Sequence, residues 1–203
     1  MVPGTVYSKK EIGGSDMART RTKKEFSMRD LIFIALFTAL ICLIAPWSFQ
    51  SSTPSGIPVT AATFILCLTA ALLGFKRGIL CVILYLLLGA LGVPVFAGWA
   101  GGYRHLLGSA GGYLIGYLPL IIAAGLIIDA HPRNAYLFFT GMLAGVSLCL
   151  LTGAVWLMFR QDLGFVQAWD TAVRPYLAAE CIKIFCAAML GYPLRALVKK
   201  FTG

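Results

Sequence analysis

The chain has 203 residues, of which 59% are hydrophobic and only 12% are charged. A soluble domain of this size has no means of covering so much apolar surface, so the composition excludes that class and predicts a polytopic membrane protein. The formal net charge of +9 also occurs in nucleic-acid-binding proteins, but here the basic residues lie mainly in the N-terminal segment and beside apolar stretches, which argues against a nucleic-acid partner.

The apolar stretches predict an all-α integral membrane protein with six transmembrane helices. Residues 1–28 are expected to form a basic, partly disordered N-terminal segment, and residues 29–203 a six-helix membrane domain. A crossing helix needs roughly 17–25 mainly apolar residues. The uncharged stretch between Asp30 and Lys76 is long enough for two such helices. The predicted spans are residues 31–45, 59–75, 78–91, 114–128, 135–159 and 175–194.

The loop charges predict the orientation of these spans. With the N-terminus in the cytoplasm, 13 of the 17 Lys and Arg residues lie on the inner side. Arg104, Arg160 and Arg174 lie on the outer side, and Lys183 lies within the sixth span. The positive-inside rule therefore favours a membrane domain with both termini in the cytoplasm.

An acidic and a basic residue, Glu180 and Lys183, lie within the sixth span, three residues apart. On a helix this spacing puts both side chains on one face, about one turn apart. A charge at bilayer depth costs roughly 2.5 kcal/mol or more, so such residues usually face a polar cavity or each other. Two interpretations stay open: a mutually neutralising pair that only locks helix packing, or a pair that contacts a ligand. The second is favoured.

Two segments expected on the outer side differ from ordinary connectors. Residues 46–58 are uncharged and stiffened by proline, and residues 92–112 are rich in glycine. Irregular backbone survives at membrane depth only where protein buries it or where it lines a cavity. A flexible outer loop remains an alternative for residues 92–112, but the interleaved aromatic residues favour a lid or pocket wall. These aromatic residues are Phe96, Trp99, Tyr103 and Tyr113.

Motifs for catalysis, nucleotide binding and metal binding are missing from the sequence. It contains no GxxxxGK[ST], GxSxG or HExxH pattern, so a P-loop ATPase and the commonest hydrolases are excluded. Glu180 is the one carboxylate inside a predicted span, and a membrane enzyme would have it as its only plausible acid or base. The six cysteines form no CxxC pair, contrary to a zinc site. We expect no catalytic residues, no metal and no cofactor.

Six motifs follow one another along the chain. They are IPVTAAT at residues 57–63, GALGVPVFAG at 89–98, Gly101-Gly102, GGYLIG at 111–116, GAVWL at 153–157 and RPYLAAECIK at 174–183. In this order, they resemble the BioY family, the biotin-specific S components of energy-coupling factor (ECF) transporters. The chain departs from the family pattern at three places. The family usually has Gln where this chain has Ala62, Pro-Thr where it has Ser109-Ala110, and Asp where it has Glu180. Trp99 replaces a glycine, which should narrow the pocket mouth.

The resemblance implies a multi-pass subunit of a prokaryotic cell membrane that captures biotin from outside. Such a subunit delivers the vitamin by toppling within the membrane, driven by a T subunit and two ABC-type ATPases. Ala35 and Ala39 resemble the small-residue seam by which S components dock on the coupling subunit, since small residues four apart let helices approach closely. Alanine as lipid-facing filler explains the spacing equally well. The alternative function is a standalone secondary transporter of a small organic acid or vitamin.

The chemistry of biotin suggests a role for each expected ligand-binding residue. Biotin carries a ureido ring with two N–H donors, an apolar bicycle and a valerate carboxylate, and a buried site must satisfy each polar group. We expect Glu180 to accept from the ureido N–H groups and Lys183 to keep Glu180 ionised and donate to a ligand oxygen. Arg104 is a weaker candidate for the carboxylate, with a solvated loop arginine as the alternative. The expected aromatic contacts are Phe96, Trp99, Tyr113 and Trp156.

Overall fold

The computed structural model describes residues 27–49, 58–132 and 134–202, and these residues form an all-helical fold. The helices are α1 (Met28–Ile44), α2 (Ala62–Ala90), α3 (Tyr103–Leu106), α4 (Gly111–Ala130), α5 (Ala135–Gln161), α6 (Phe165–Ala172) and α7 (Arg174–Thr202), with a 3-10 turn at Ala97–Trp99. Strands β1 (Ser48–Phe49) and β2 (Val59–Thr60) pair antiparallel. The basic segment 1–26 and most of the proline-stiffened loop, residues 50–57, lie outside the described residues.

Four of the described helices are long and apolar enough to cross a membrane by length and composition. They are α2, α4, α5 and the part of α7 from Arg174 to Arg195. Helix α1 has 17 residues, which corresponds to a length of about 25 Å. The all-helical class that the sequence predicts is therefore confirmed.

Helix α2 covers the second and third predicted spans, and the chain reverses within it at Gly74. Gly74 has φ 75° and ψ −171°, which are not helical values. Thr63 and Tyr85 line the same cavity, although a straight helix would separate them by about 33 Å. A Cβ on Gly78 would lie 3.9 Å from Thr69 Cγ2, which also requires the two sides of Gly74 to run side by side.

The two halves of α2, residues 62–73 and 75–90, are thus antiparallel helices joined by a one-residue turn. The sequence predicts a break at Lys76 and Arg77, two residues later than the observed one. A side chain of another helix holds this turn in place, because the Phe75 amide donates a hydrogen bond to Asp129 Oδ2 of α4 at 2.8 Å. That carboxylate satisfies one of the free amides at the start of the second half.

Gly74→Ser is expected to lower the free energy of unfolding by about 1–3 kcal/mol, because a side chain is strained in this backbone conformation. An added Cβ would also lie 2.5 Å from Asp129 Oδ2. Denaturant unfolding in detergent, followed by circular dichroism, measures the change. Gly164→Ser is the matched control, since Gly164 precedes α6 with φ −65° and serine is favoured at that position. Equal stability of the two variants would contradict the prediction.

Helix α1 begins three residues before the predicted first span. Asp30 explains the early start, because its Oδ2 accepts from the Ser27 amide at 3.3 Å and so caps the first turn. Its Oδ1 lies 2.7 Å from Arg77 Nη2, beside the reversal in α2. The carboxylate is therefore paired although the residue is buried.

Helix α7 runs through Pro193 and continues to Thr202, beyond the predicted sixth span, whereas its stretch apolar enough to cross a membrane ends at Arg195. The Arg195 side chain is 4% exposed. Its Nη1 donates to the Ala71 carbonyl at 3.0 Å, and its Nη2 donates to Asp129 Oδ1. The guanidinium also lies 5.9 Å from the centroid of the Phe138 ring. We call Arg195 and Asp129 the clasp, because they tie α7 and α4 to the turn in α2.

The opposite end of the bundle carries the cap segment, which we define as residues 91–110. The Gly102 amide donates to the Gly89 carbonyl at 2.7 Å, and a Cβ on Gly101 would lie 2.5 Å from the Val93 carbonyl oxygen. Glycine is required at this close approach of two backbones. The cap segment therefore packs directly on the end of α2.

Helices α4 and α5 pack closely because glycines lie at their contact. A Cβ on Gly112 would lie 2.2 Å from Trp156 Cβ, and a Cβ on Gly145 would lie 2.7 Å from the Leu120 carbonyl oxygen. Small residues let helix backbones approach in this way. This packing fixes the position of Tyr113, next to Gly112, at the cap end of the bundle.

Candidate functional site

A cavity lies at the cap end, between helices α2, α4, α5 and α7. Its volume is about 50 Å³, below the roughly 300–1,000 Å³ typical of ligand pockets. The lining is mainly apolar and aromatic. The lining residues are Ala45, Pro58, Thr60, Thr63, Tyr85, Ala97, His105, Ala110, Tyr113, Leu114, Tyr117, Val146, Cys149, Leu150, Tyr176 and Glu180.

Glu180 and Lys183 meet two threonines at the wall of this cavity. Lys183 Nζ lies 2.7 Å from Glu180 Oε1 and donates to the Thr60 carbonyl at 2.6 Å and to Thr63 Oγ1 at 3.2 Å. The Thr63 hydroxyl donates to Glu180 Oε1 at 3.0 Å. The Lys183 and Glu180 side chains are only 17% and 7% exposed. We call these four residues the polar cluster, in which each charge has a partner.

One oxygen of Glu180 has no hydrogen-bond partner among the described residues. The contacts within the polar cluster reach Oε1, whereas Oε2 is buried and has no hydrogen-bond partner among the described residues. An unsatisfied buried acceptor costs about 1–3 kcal/mol, so buried carboxylate oxygens normally have partners. Because Glu180 lines the cavity, a ligand N–H group could bind Oε2.

The local sequence places the members of the polar cluster. Glu180 and Lys183 face the same side of α7 because they are three residues apart. Thr60 ends β2 and Thr63 lies in the first turn of α2, and both belong to the IPVTAAT motif. The sequence analysis did not name these threonines as site residues, although their place in that motif was an available signal.

Aromatic side chains form much of the remaining wall. The rings of Tyr113 and Tyr176 lie with centroids 5.9 Å apart, and those of Tyr85 and Tyr117 lie 6.3 Å apart. The Tyr113 hydroxyl donates to the Ala172 carbonyl at 2.6 Å, which ties α4 to the end of α6. Only Tyr113 of these four tyrosines is a residue that the sequence analysis expected in the site.

Phe96 and Trp156 lie behind the wall and are not among the lining residues. Phe96 is fully buried, and a Cβ on Gly89 would lie 2.1 Å from its ring. Trp156 packs against Gly112 and donates from Nε1 to the Gly108 carbonyl at 2.9 Å. Both side chains therefore support the cap segment and α4, where the sequence analysis expected direct contact with the ligand.

Trp99 and Arg104 lie on the surface of the cap segment, and neither lines the cavity. The Trp99 side chain is 60% exposed, and Arg104 is also exposed. Ala35 and Ala39 are exposed on α1 and line a separate apolar groove between α1 and the second half of α2. Of the seven expected ligand-binding residues, the structure thus places Tyr113 and Glu180 on the cavity wall and Lys183 against Glu180.

The described residues contain no group of three or more His, Cys, Asp or Glu side chains that could hold a metal ion. The polar groups of the described residues at the cavity are one carboxylate, its lysine, two threonines, tyrosine hydroxyls, one imidazole and the Cys149 thiol. This set can accept and donate hydrogen bonds to a small organic molecule.

Comparison with known proteins identifies the family of this chain. Residues 18–200 match the BioY family. The biotin transporter BioY of Thermotoga maritima is 36% identical over 172 residues, covering 84% of this chain and 98% of that protein. The probable biotin transporter BioY of Pyrococcus horikoshii is 33% identical over 168 residues, covering 82% and 96%.

A solved structure has the same fold. The crystal structure of the S-component for biotin from an ECF-type ABC transporter superposes with a TM-score of 0.75 and 25% sequence identity. The match covers 83% of this chain and 91% of that one. With the family match over nearly the whole length, these findings show that the chain belongs to the BioY family.

Proposed function

We propose that this protein is the biotin-binding S subunit of an ECF-type transporter in a prokaryotic cell membrane. Membership of the BioY family and the similarity to biotin transporters support this function. The structural observation that carries it is the buried, unpartnered Oε2 of Glu180, a residue that lines a largely apolar cavity. A ureido N–H group on an apolar bicycle is the complement of such a wall.

In this proposal each wall of the cavity binds one part of biotin. The ureido N–H groups donate to Glu180 Oε2, while Lys183 and Thr63 hold the other carboxylate oxygen in place. The bicycle packs against Tyr113 and Tyr176, which combine apolar area with few rotatable bonds. Phe96 and Trp156 act indirectly, by fixing the cap segment and α4.

We further propose that six segments cross the membrane, with both termini in the cytoplasm. The reversal at Gly74 supports six, because it divides α2 into two antiparallel halves and leaves α1, both halves, α4, α5 and α7. The orientation puts the cap segment and the cavity on the outer side, where biotin arrives. It puts most Lys and Arg residues, including Lys76 and Arg77 at the turn, on the cytoplasmic side.

The energy for transport would come from partner subunits, a T subunit and two ABC-type ATPases. The sequence has no P-loop of its own, which agrees with a division of labour between binding and ATP hydrolysis. Ala35 and Ala39 are the proposed contact with the T subunit. Their exposure on α1, in a groove lined by Leu43 and Leu84, leaves room for a partner helix.

Calorimetric titration of the detergent-purified chain tests this function. We expect saturable binding of one biotin per chain and at least about a hundredfold weaker binding of lipoate. Lipoate has the same valerate chain but a ring without ureido N–H groups, and a site built to bond a polar group rejects an analogue that lacks it. Thiamine is a second control. Folded protein that binds lipoate or thiamine as tightly as biotin would overturn the proposal.

A further inference from the structure

A second buried polar atom without a partner belongs to a residue that lines the same cavity, on a different element from Glu180. His105 belongs to α3 in the cap segment and lines the cavity. Its Nε2 is buried and has no hydrogen-bond partner among the described residues. A buried imidazole nitrogen is normally bonded, so this atom requires a partner that the described part of the chain does not supply.

The position of the His105 ring is fixed by packing. The ring stacks on Phe96, with centroids 5.6 Å apart and planes at 19°. Phe96 is itself held by an edge contact with Tyr85, at 5.7 Å between centroids. The His105 amide donates to the Gly102 carbonyl at 3.1 Å. A nitrogen held in this way loses little conformational freedom when a ligand binds it, which favours affinity.

Other polar side chains of the cavity already have partners within the protein. The Tyr113 hydroxyl donates to the Ala172 carbonyl, and the Tyr85 hydroxyl donates to the Val95 carbonyl at 3.2 Å. The Thr63 hydroxyl is bonded within the polar cluster. Among the described lining residues, Glu180 Oε2 and His105 Nε2 are therefore the two buried side-chain atoms without a hydrogen-bond partner, one an acceptor and one able to donate.

The imidazole is suited to donate a hydrogen bond to an anion. Burial lowers the pKa of His105 below its ordinary value of 6.5, so the ring is neutral at pH 7 and carries one N–H group. Leu114, Val146 and Leu150 give the cavity an apolar surface that suits an alkyl chain. A ligand with N–H donors at one end and an acid at the other would satisfy both open atoms.

We propose that His105 Nε2 donates to the carboxylate of the ligand and thereby selects acids over neutral analogues, while Glu180 binds the ureido end. This inference rests on the proposed function, because biotin is the ligand whose two ends it assigns. The neighbour of His105, Arg104, which the sequence analysis expected to bind the carboxylate, is exposed on the surface. His105, by contrast, lines the cavity.

Two substitutions and two ligands test the assignment by calorimetry. His105→Phe keeps a ring to stack on Phe96 but has no nitrogen, and His105→Gln keeps a side-chain N–H. The ligands are biotin and an analogue with a pentyl chain in place of the valerate. For His105→Phe we expect biotin affinity to fall about tenfold or more and affinity for the pentyl analogue to stay within about twofold of wild type. His105→Gln should lose less biotin affinity than His105→Phe.

Unchanged biotin affinity in His105→Phe, or an equal loss for both ligands, would overturn the assignment of His105 and leave the proposed function intact. Wild-type protein that binds no biotin would overturn the proposed function and, with it, this inference. The two failures are therefore distinguishable.

A spectroscopic measurement avoids any substitution at position 105. The chain has two histidines, and His131, exposed at the end of α4, lies outside the cavity lining. In a His131→Gln variant labelled with ¹⁵N-histidine, His105 is the only imidazole observed. We expect its Nε2 resonance to shift on saturation with biotin and to shift less with the pentyl analogue. An Nε2 resonance unchanged by saturating biotin would overturn the proposal.

Discussion

Glu180→Gln is expected to weaken biotin binding by about 2–4 kcal/mol, roughly thirty- to a thousandfold. The amide has nearly the same shape as the carboxylate, but its single oxygen can satisfy Lys183 and Thr63 or the ligand, not all of them. Lys183, whose side chain is only 17% exposed, would also lose its counter-charge. Calorimetric titration of the purified variant with biotin measures the loss.

Glu180→Asp is the matched control for this prediction. It keeps the charge and both acceptor oxygens while shortening the side chain by one methylene, and the BioY resemblance places Asp at this position in most members. We expect it to retain far more biotin affinity than Glu180→Gln. Equal losses in the two variants would show that the reach of the side chain matters more than its charge, contrary to the role given to Oε2.

A double substitution separates the ligand contact from the internal pair. Lys183→Met alone leaves a buried carboxylate without its cation, so biotin affinity should fall as in other broken charge pairs. If Glu180 contacts biotin directly, the Glu180→Gln, Lys183→Met double variant should bind no better than Glu180→Gln. Recovery of affinity in the double variant would mean that each single change acts only through the charge left behind.

The sequence predicts the parts of this fold that hydropathy and local spacing determine. The spans at residues 114–128 and 135–159 agree with α4 and α5 to within three residues, because a crossing helix must be apolar along its length. Glu180 and Lys183 are found from their spacing alone. The helix period and the cost of an unpaired charge leave few arrangements for them.

The remaining features depend on contacts between residues distant in sequence. In the sequence, Arg195 has the position of a basic residue that flanks a span on the cytoplasmic side. Its contact with Asp129, 66 residues away, is seen only in the folded structure. His105 and Tyr176 have no signal of their own, since only the packing of α3 and α7 brings them to one cavity. Helix α6 has only eight residues, too few to cross a membrane, so a search for apolar spans does not predict it.

Asp129→Asn, a substitution in the clasp, should lower the free energy of unfolding by about 2–3 kcal/mol. Removing one partner of a buried pair costs about 3–5 kcal/mol, and the Asp129 side chain is 42% exposed, so water screens part of this cost. Asparagine still offers an oxygen to the Phe75 amide. The change therefore isolates the charge opposite Arg195.

Denaturant unfolding in mixed detergent micelles measures the loss, with Asp170→Asn as the matched control. Asp170 pairs with Arg174 at 3.5 Å, but the two side chains are 53% and 77% exposed. An exposed pair of this kind is worth about 0–1 kcal/mol. A stability loss in Asp129→Asn no larger than in Asp170→Asn would contradict the importance given to the clasp.

Adding Arg195→Met to Asp129→Asn should restore much of the lost stability. The penalty in the single variant comes mainly from a guanidinium that is 4% exposed and has lost its anion, and replacing both members of a buried pair is often close to neutral. Methionine also keeps apolar contact with Phe138. Because the clasp ties α4 and α7 to the turn at Gly74, at the end opposite the cavity, the double variant should bind biotin as wild type does. A loss of binding at restored stability would instead show that the clasp communicates with the polar cluster along α7.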